Sequence, residues 1–249
     1  MTFASLIRIA KERKQLELAA FNLESNENKF DVQLEKQCSD ISSPIFDSYQ
    51  CSIEGISLCS EYITVSLASL IFEYCVLLES RGEFVKLRGR RCLSLGGTVT
   101  SAGLVPKDNM PVWLKSLISS LKILPRIPNH ALINIYDAGE GILPHEDGPA
   151  YYPYAAILSV GCGSVFDFLG KLNRCISEQI YLSVGSLLLF QGEAYSNVLH
   201  QYADRRIDQV KGMVERLGSS VLKGNQLIRG KRISITLRYV PPIEHTLLR

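Results

Sequence analysis

The 249-residue sequence predicts an α+β protein whose C-terminal half is a mainly β core. From about residue 131, short apolar and β-branched runs alternate with breaks at Gly, Pro, Asn and Asp, and no helical spacing intervenes. Closely spaced short strands of this kind indicate a β-sandwich or barrel. Upstream, the apolar residues recur at helical spacing instead. We therefore expect one domain in which an elaborated, helical N-terminal part packs against the β core.

The N-terminal part is predicted to be a series of helices with one extended, basic segment. Helix starts are indicated by hydroxyl residues ahead of apolar periodic runs, and the extended segment stops at a glycine pair. In chain order we expect a helix over residues 1–20, an irregular polar segment over 21–60, a helix from Ser60 or Thr64 to about Ser80, extended chain over Phe84–Leu95, and a helix over Trp113–Leu121. Residues 1–60 are interpreted as an N-terminal extension, and residues 61–249 as the domain itself.

The β core is predicted to span about residues 131–240. Each candidate strand is a run rich in Val, Ile, Leu, Phe and Tyr, bounded by turn-forming residues. The candidates are Ala131–Tyr136, Tyr154–Val160, Ser164–Leu169, Gln179–Leu182, Gly185–Phe190, Val198–Tyr202 and Arg232–Val240.

Charge and cysteine content limit the environment of the protein. The formal net charge is only +2, so no strong overall field favours nucleic acid. Seven cysteines without a C-x-x-C pair argue against a structural zinc site and a disulfide framework. Reduced thiols fit an intracellular protein of the cytoplasm, the nucleus or both. The apolar stretch Tyr62–Leu78 contains Glu73 and is too short to span a bilayer, so no membrane association is expected.

Two segments are locally basic. One contains Lys86, Arg88, Arg90 and Arg91, and the other is the loop over residues 201–231. Such segments could follow the phosphates of DNA or RNA. They are equally typical of ordinary solvated surface, and both interpretations stay open here. The sequence carries no indication of oligomeric state.

One short motif points to a metal site. His145 and Asp147 form the only H-x-D in the chain, and residues two apart in extended chain project to the same side. His200 follows an apolar run further on. Two imidazoles and one carboxylate make the facial triad of non-haem Fe(II) oxygenases. The alternative is a chance H-x-D together with a structural histidine.

The last predicted strand suggests a place for a small carboxylate ligand. Strand alternation puts Arg232, Ser234, Thr236 and Arg238 on one face and three aliphatic residues on the other. Two guanidinium groups beside hydroxyls suit a carboxylate, although a surface strand would show the same pattern. On another strand, Asn134 and Tyr136 also share a face and could contribute an amide and a phenol.

The order N-x-Y, H-x-D, distant His and R-x5-R resembles the AlkB family over about residues 131–240. Residues 144–153 read PHEDGPAYYP, and residues 87–91 read LRGRR. These stretches are similar to the sixth AlkB homologue of eukaryotes and extend the resemblance back to about residue 84. Ser234 departs from the pattern, because many relatives have Asn two residues after the first arginine.

The resemblance implies a double-stranded β-helix, or jelly roll, with buttressing N-terminal helices. It also implies an Fe(II)- and 2-oxoglutarate-dependent dioxygenase that uses O₂ to hydroxylate a C–H bond. That bond typically belongs to an N-methyl group, which then leaves as formaldehyde. The implied residues are His145, Asp147 and His200 for iron and catalysis, Arg232 with Tyr136 for the distal carboxylate of 2-oxoglutarate, Asn134 and Arg238 near its iron-chelating end, and Ser234 beside them.

Family members that act on methylated nucleic acid suggest oxidative demethylation of DNA or RNA as the function. Tyr151 and Tyr152, close to the iron ligands in sequence, could stack on a base or simply pack beneath a lid. Two alternatives remain: a hydroxylase or demethylase of a protein side chain, and a binding module without catalysis on the same fold.

Overall fold

Two antiparallel β-sheets pack face to face in the computed structural model, which describes residues 29–47, 51–209 and 226–243. The major sheet has seven strands in the order β1-β11-β8-β15-β6-β3-β2, and the minor sheet has four in the order β10-β9-β12-β7. Two further pairs, β4 with β5 and β13 with β14, complete the strands of the described residues. The predicted helix over residues 1–20 lies outside those residues.

The element bounds follow in chain order. The helices are α1 (residues 29–39), α2 (Val65–Ser80), α3 (Val112–Ser119) and α4 (Glu193–Ser196). The strands are β1 (Ile56–Cys59), β2 (Val85–Leu87), β3 (Arg90–Leu95), β4 (Gly97–Thr100), β5 (Gly103–Pro106), β6 (His130–Tyr136), β7 (Ile142–His145), β8 (Tyr154–Gly161), β9 (Ser164–Gly170), β10 (Ile176–Leu182), β11 (Leu187–Gln191), β12 (Val198–Tyr202), β13 (Ile207–Gln209), β14 (Gln226–Ile228) and β15 (Arg232–Arg238).

Strand alternation divides the core into two layers. On β15, Ile233, Ile235 and Leu237 pack with α1, α2 and α3 in one apolar cluster on the outer face of the major sheet. Side chains of the opposite parity, such as Tyr136 and Phe190, point between the two sheets. Both faces of the central strands are therefore buried. This jelly roll with helices on one side confirms the predicted fold.

Helix α2 is the main buttress of the major sheet. It begins where the Thr64 hydroxyl accepts a hydrogen bond from the backbone N–H of Leu67 at 3.2 Å. Its Tyr74 ring meets the ring of fully buried Trp113 on α3 edge to face, with 5.7 Å between centroids. Of the two predicted starts, Thr64 is the one that the structure shows. No helix among the described residues is both long enough and apolar enough to cross a bilayer.

The prediction that residues 21–60 are irregular is wrong for the part that the structure describes. Residues 29–39 are helical, because Leu34 and Cys38 lie one turn apart and are buried against the core. Ile56–Cys59 forms the edge strand of the major sheet and pairs with β11. A four-residue strand inside a polar stretch is too short to show its period in sequence. A domain boundary at residue 60 remains a prediction.

The extended segment Phe84–Leu95 is a hairpin. Its turn contains Gly89, whose φ is 74°. A Cβ atom there would lie 2.5 Å from the carbonyl oxygen of Gly141. The backbone N–H of Gly141 donates a hydrogen bond to the Gly89 carbonyl oxygen at 3.0 Å. This backbone contact fixes the hairpin against the start of β7, a strand that the sequence prediction missed.

A buried ion network ties the minor sheet to the β13–β14 pair. The carboxylates of Asp167 and Asp208 are fully buried. Asp208 pairs with Arg205 at 2.5 Å and with Arg229 at 2.6 Å, and Arg205 also reaches Asp167 at 3.2 Å. The backbone N–H of Val165 donates to Asp208 at 3.0 Å. Two acids and two arginines thus form a neutral, hydrogen-bonded cluster, as a buried charge network requires.

Asp208→Asn should destabilise the fold by about 3–5 kcal/mol at neutral pH, because it leaves buried arginine charge without its partner. Burial raises the pKa of Asp208, but hydrogen bonds from Arg229 and Arg205 outweigh it, so this pKa lies below its ordinary value. The contribution is therefore complete above about pH 4 and disappears as the pH falls through the folded-state pKa. Urea unfolding at neutral and acidic pH measures this. Exposed Asp204→Asn is the control, and an equal loss in both variants would contradict the prediction.

Candidate functional site

Strand pairing brings the two candidate histidines together. In the ladder between β12 and β7, His200 lies directly opposite His145, and their ring centroids are 4.4 Å apart. Asp147 follows two residues after His145, beyond the end of β7. One ligand atom from each of the three side chains lies within 4.8 Å of the other two. The predicted H-x-D…H set therefore converges in space.

Both imidazoles are held in the neutral form that metal binding requires. His200 is buried and stacks on Phe166, and burial lowers its pKa to about 3. Burial also lowers the pKa of His145. Nδ1 of His145 lies 2.9 Å from the carbonyl oxygen of Leu143, which fixes the proton on Nδ1 and leaves the Nε2 lone pair free.

Asp147 is held by a two-pronged ion pair. The Nε and Nη2 atoms of Arg238 lie 2.9 Å and 2.6 Å from its two carboxylate oxygens. Burial raises the pKa of Asp147, but the positive charge of Arg238 outweighs it, so this pKa lies below its ordinary value and the carboxylate is charged. The ring of Tyr151 lies 4.7 Å from the Arg238 guanidinium carbon and covers it.

A cavity of about 240 Å³ opens beside these residues. Its lining includes every residue that the sequence singled out for metal or co-substrate: Asn134, Tyr136, His145, Asp147, His200, Arg232, Ser234 and Arg238. The even-numbered face of β15 points into it, as strand alternation predicted. Ile142, Ile157 and Phe166 add apolar wall to this mainly polar lining.

Arg232 is a buried cation without an acidic partner among the described residues. Only 1% of the residue is exposed, and Nη2 donates one hydrogen bond to the Ser159 hydroxyl at 3.0 Å. Its Nε has no hydrogen-bond partner. The guanidinium carbon lies 4.7 Å from the ring centroid of Tyr202 and 5.8 Å from that of Tyr136. An unmatched guanidinium that faces a cavity is a binding position for a carboxylate.

Arg90 and Tyr202 also line the cavity, and sequence reasoning missed both roles. The Arg90 Nε donates to the Asn134 side-chain oxygen at 3.1 Å. Arg90 was expected on a phosphate-contacting surface, but its parity on β3 matches that of Asn134 on neighbouring β6, so it points toward the cavity. Tyr202 lies two residues after His200 on the same strand face, and that spacing was a usable signal.

Several of the proposed phosphate-contacting residues pair with acids inside the protein, and for these residues the prediction is corrected. Arg91 pairs with Glu79, Asp137 and Glu140, and Lys231 with Glu79 and Asp137. Arg205 and Arg229 belong to the buried ion network. Lys86 is exposed but lies opposite Arg91, on the helix side of the sheet. Arg88 and Arg206 remain exposed, and residues 210–225 lie outside the described part of the loop.

The two tyrosines after the H-x-D motif have different environments. Tyr151 lines the cavity. Tyr152 instead packs against Tyr154 and Tyr239 at ring distances of 5.9 and 6.3 Å, on the helix side of the major sheet. Only Tyr151 is therefore placed to contact a substrate.

Comparison with known proteins agrees with this geometry. Residues 99–238 match the family model of the 2OG-Fe(II) oxygenase superfamily. The Probable RNA/DNA demethylase ALKBH6 of Danio rerio is 30% identical over 177 residues, which cover 65% of this chain and 75% of that protein. Uncharacterized protein L905 of Acanthamoeba polyphaga mimivirus is 30% identical over 142 residues, or 55% of this chain and 62% of that protein.

The fold has a counterpart among solved structures. The structure of OsALKBH1 superposes with a TM-score of 0.54 at 14% identity and covers 78% of this chain and all of that one. At this identity the likeness concerns the fold alone. The family model spans more than half of the chain, and the fish relative is matched over three quarters of its length. The chain therefore belongs to the AlkB family of the 2OG-Fe(II) oxygenase superfamily, and it is a dioxygenase.

Proposed function

We propose that the chain binds Fe(II) through His145, Asp147 and His200 and uses 2-oxoglutarate and O₂ to demethylate methylated nucleic acid. Two neutral imidazoles and one carboxylate are the donor set of non-haem iron oxygenases. The metal and its co-substrate would supply the oxidising chemistry, and the protein would supply binding and orientation. Seven free cysteines support an intracellular protein of the cytoplasm or nucleus.

Arg232 is the observation that carries the co-substrate assignment. A buried guanidinium costs free energy unless a counter-charge is supplied, and no acid among the described residues supplies one. A dicarboxylate would place one carboxylate on Arg232, beside the Tyr136 phenol, and direct its other end toward the histidines. Asn134 and Ser234 lie opposite each other on adjacent strands between these points, where they would hold the middle of the molecule.

Arg238 lies beside Asp147, near the expected iron-chelating end of the co-substrate, and we assign it a further task there. Its Nε and Nη2 donate to the two carboxylate oxygens of Asp147, so it orients the candidate iron ligand and keeps it charged. The guanidinium would thereby fix one carboxylate oxygen toward the metal position, as outer-shell partners of metal ligands do.

Anaerobic addition of Fe(II) and then 2-oxoglutarate to the apo-protein should produce a visible metal-to-ligand charge-transfer band. His145→Ala should abolish it, because one of three ligands is lost while the fold is kept. His130→Gln is the matched control, since His130 is buried but absent from the cavity lining. Retention of the full band in His145→Ala would remove this residue from the metal site.

Arg232→Ala should weaken 2-oxoglutarate binding by on the order of 2–5 kcal/mol, because truncation removes one partner of a buried charge pair. Arg232→Lys should recover part of this loss, since it restores the charge without the planar fork. Titration of the charge-transfer band measures both. If Arg232→Ala binds 2-oxoglutarate as the unmodified protein does, the carboxylate position is elsewhere.

Two observations support the assignment to nucleic acid: the side chains of Tyr151 and Arg90 at the cavity, and the fish relative, which is named a probable RNA/DNA demethylase. Tyr151 and Arg90 present a ring and a guanidinium at the cavity, and both groups stack readily on a base. A flipped or unpaired base can enter such a pocket, whereas a paired base cannot.

Incubation of the iron-loaded protein with N-methylated single-stranded oligonucleotides should release formaldehyde in step with succinate. Tyr151→Ala should slow this release more than it changes the affinity for 2-oxoglutarate, because Tyr151 would contact the base. Tyr152→Phe, outside the cavity, serves as the control. Formaldehyde release from N-methylated peptides but from no oligonucleotide would move the substrate to the protein class.

A further inference from the structure

The turn between β9 and β10, residues 171–175, follows the strand that pairs with β12 beside the candidate iron ligands. Gly170 at the end of β9 is paired with Val198 on β12, two residues from the His200–Phe168 pair. Lys171 therefore lies three residues beyond Phe168, the strand partner of His200, which is about 10 Å along the chain at the usual strand rise. Its Nζ also contacts Glu146 at 2.8 Å, and Glu146 stands between two candidate iron ligands and lines the cavity.

This turn presents an apolar tip between two cations. Leu172 is fully exposed, at 101%, and it is flanked by Lys171 and Arg174. The Arg174 side chain is exposed and has no ion pair or hydrogen bond with any residue that the structure describes. A fully solvated leucine contributes nothing to the core of the protein itself, whereas it would gain free energy if a partner covered it.

The turn is also rigidly built, so the tip is not simply loose chain. The Asn173 side-chain oxygen accepts the Cys175 backbone N–H at 3.0 Å, and the Arg174 N–H donates to the Gly170 carbonyl at 3.0 Å. Arg174 adopts a φ of 56°, the left-handed conformation that a non-glycine residue rarely takes. The backbone positions of Leu172 and Arg174 are therefore set by the turn.

We propose that residues 171–174 form a contact surface for the strand of nucleic acid next to the target base, with Leu172 against a base face and Arg174 on a phosphate. This inference rests on the proposed function and adds to it the location of the substrate strand. Some DNA-binding proteins combine Arg and Lys contacts with apolar side chains, leucine among them, that insert between bases. Near the site, Arg238 pairs with Asp147 and Lys171 with Glu146, whereas the exposed Arg174 side chain has no acidic partner among the described residues.

The two residues should leave different signatures in binding of a labelled N-methylated single-stranded oligonucleotide across a salt series. Arg174→Ala should reduce the slope of log K against log salt by about 0.7, the value for one phosphate contact on a single strand. Leu172→Ala should keep the slope and weaken binding by about 10-fold, because burial of an aliphatic side chain is insensitive to salt. Lys122→Ala and Ile123→Ala are matched controls, an exposed cation and an exposed aliphatic residue beyond α3 on the far side of the major sheet.

The charge-transfer band distinguishes failure of the contact surface from failure of the proposed function. Neither Leu172 nor Arg174 lines the cavity, so the band should persist in both variants. If the unmodified protein binds and demethylates the oligonucleotide, and both tip variants do so equally well, the contact surface is overturned while the proposed function stands. If the band forms but no oligonucleotide is bound or demethylated, the proposed substrate class fails and this surface with it. If a poly-glutamate peptide binds as tightly and loses the same affinity in Arg174→Ala, the surface recognises charge alone, and its assignment to nucleic acid is overturned.

Discussion

The alternation of side chains along β15 is the constraint on which the structure depends. This strand lies at the centre of the major sheet, between β8 and β6, and all seven of its residues are buried. Its aliphatic face holds the helices, and its polar face forms the floor of the cavity. A slip of one residue would bury two arginines among aliphatic side chains and turn three aliphatic residues toward the site, so the register is strongly determined. The same seven residues thus contribute both to the apolar core and to the cavity.

The two arginines of this face show how buried charge is divided between stability and function. Arg238 is neutralised within the chain by Asp147, and that pair orients a candidate iron ligand. Arg232 is left without a counter-charge among the described residues, and Tyr136 and Tyr202 offer it only their rings. The guanidinium carbon of Arg229 lies 4.1 Å from the ring centroid of Tyr202, but Arg229 is neutralised by Asp208 in the ion network. Among the described residues, Arg232 is the buried arginine that lacks an acidic partner, and the proposed function assigns a co-substrate carboxylate to it. A local departure from charge pairing of this kind is typical of functional sites.

Properties with a short period in sequence were predictable, and properties set by distant partners were not. The faces of β6 and β15 follow from a period of two, and the convergence of His145, Asp147 and His200 was expected from the motif order. By contrast, Arg91 looked like a phosphate ligand because it stands in a basic run. Its three acidic partners come from α2 and from the turn after β6, 12 to 49 residues away in the chain. Arg238 was likewise expected at the co-substrate, and its pairing with Asp147 across 91 residues could not be read from spacing.

The division between core strands and loops has a consequence for substrate choice. Metal ligands and carboxylate-binding residues lie on or next to paired strands, where backbone hydrogen bonds hold them within narrow limits. Groups assigned to the substrate lie at a strand end and on turns instead: Arg90 begins β3 beside the hairpin turn, the β9–β10 turn carries Leu172 and Arg174, and the segment after β7 carries Tyr151. Turns accept sequence change at little cost to the fold. The same oxidative chemistry can therefore be directed to different substrates by changes at these turns alone. For this reason the fold identifies the reaction, whereas the turns determine the substrate.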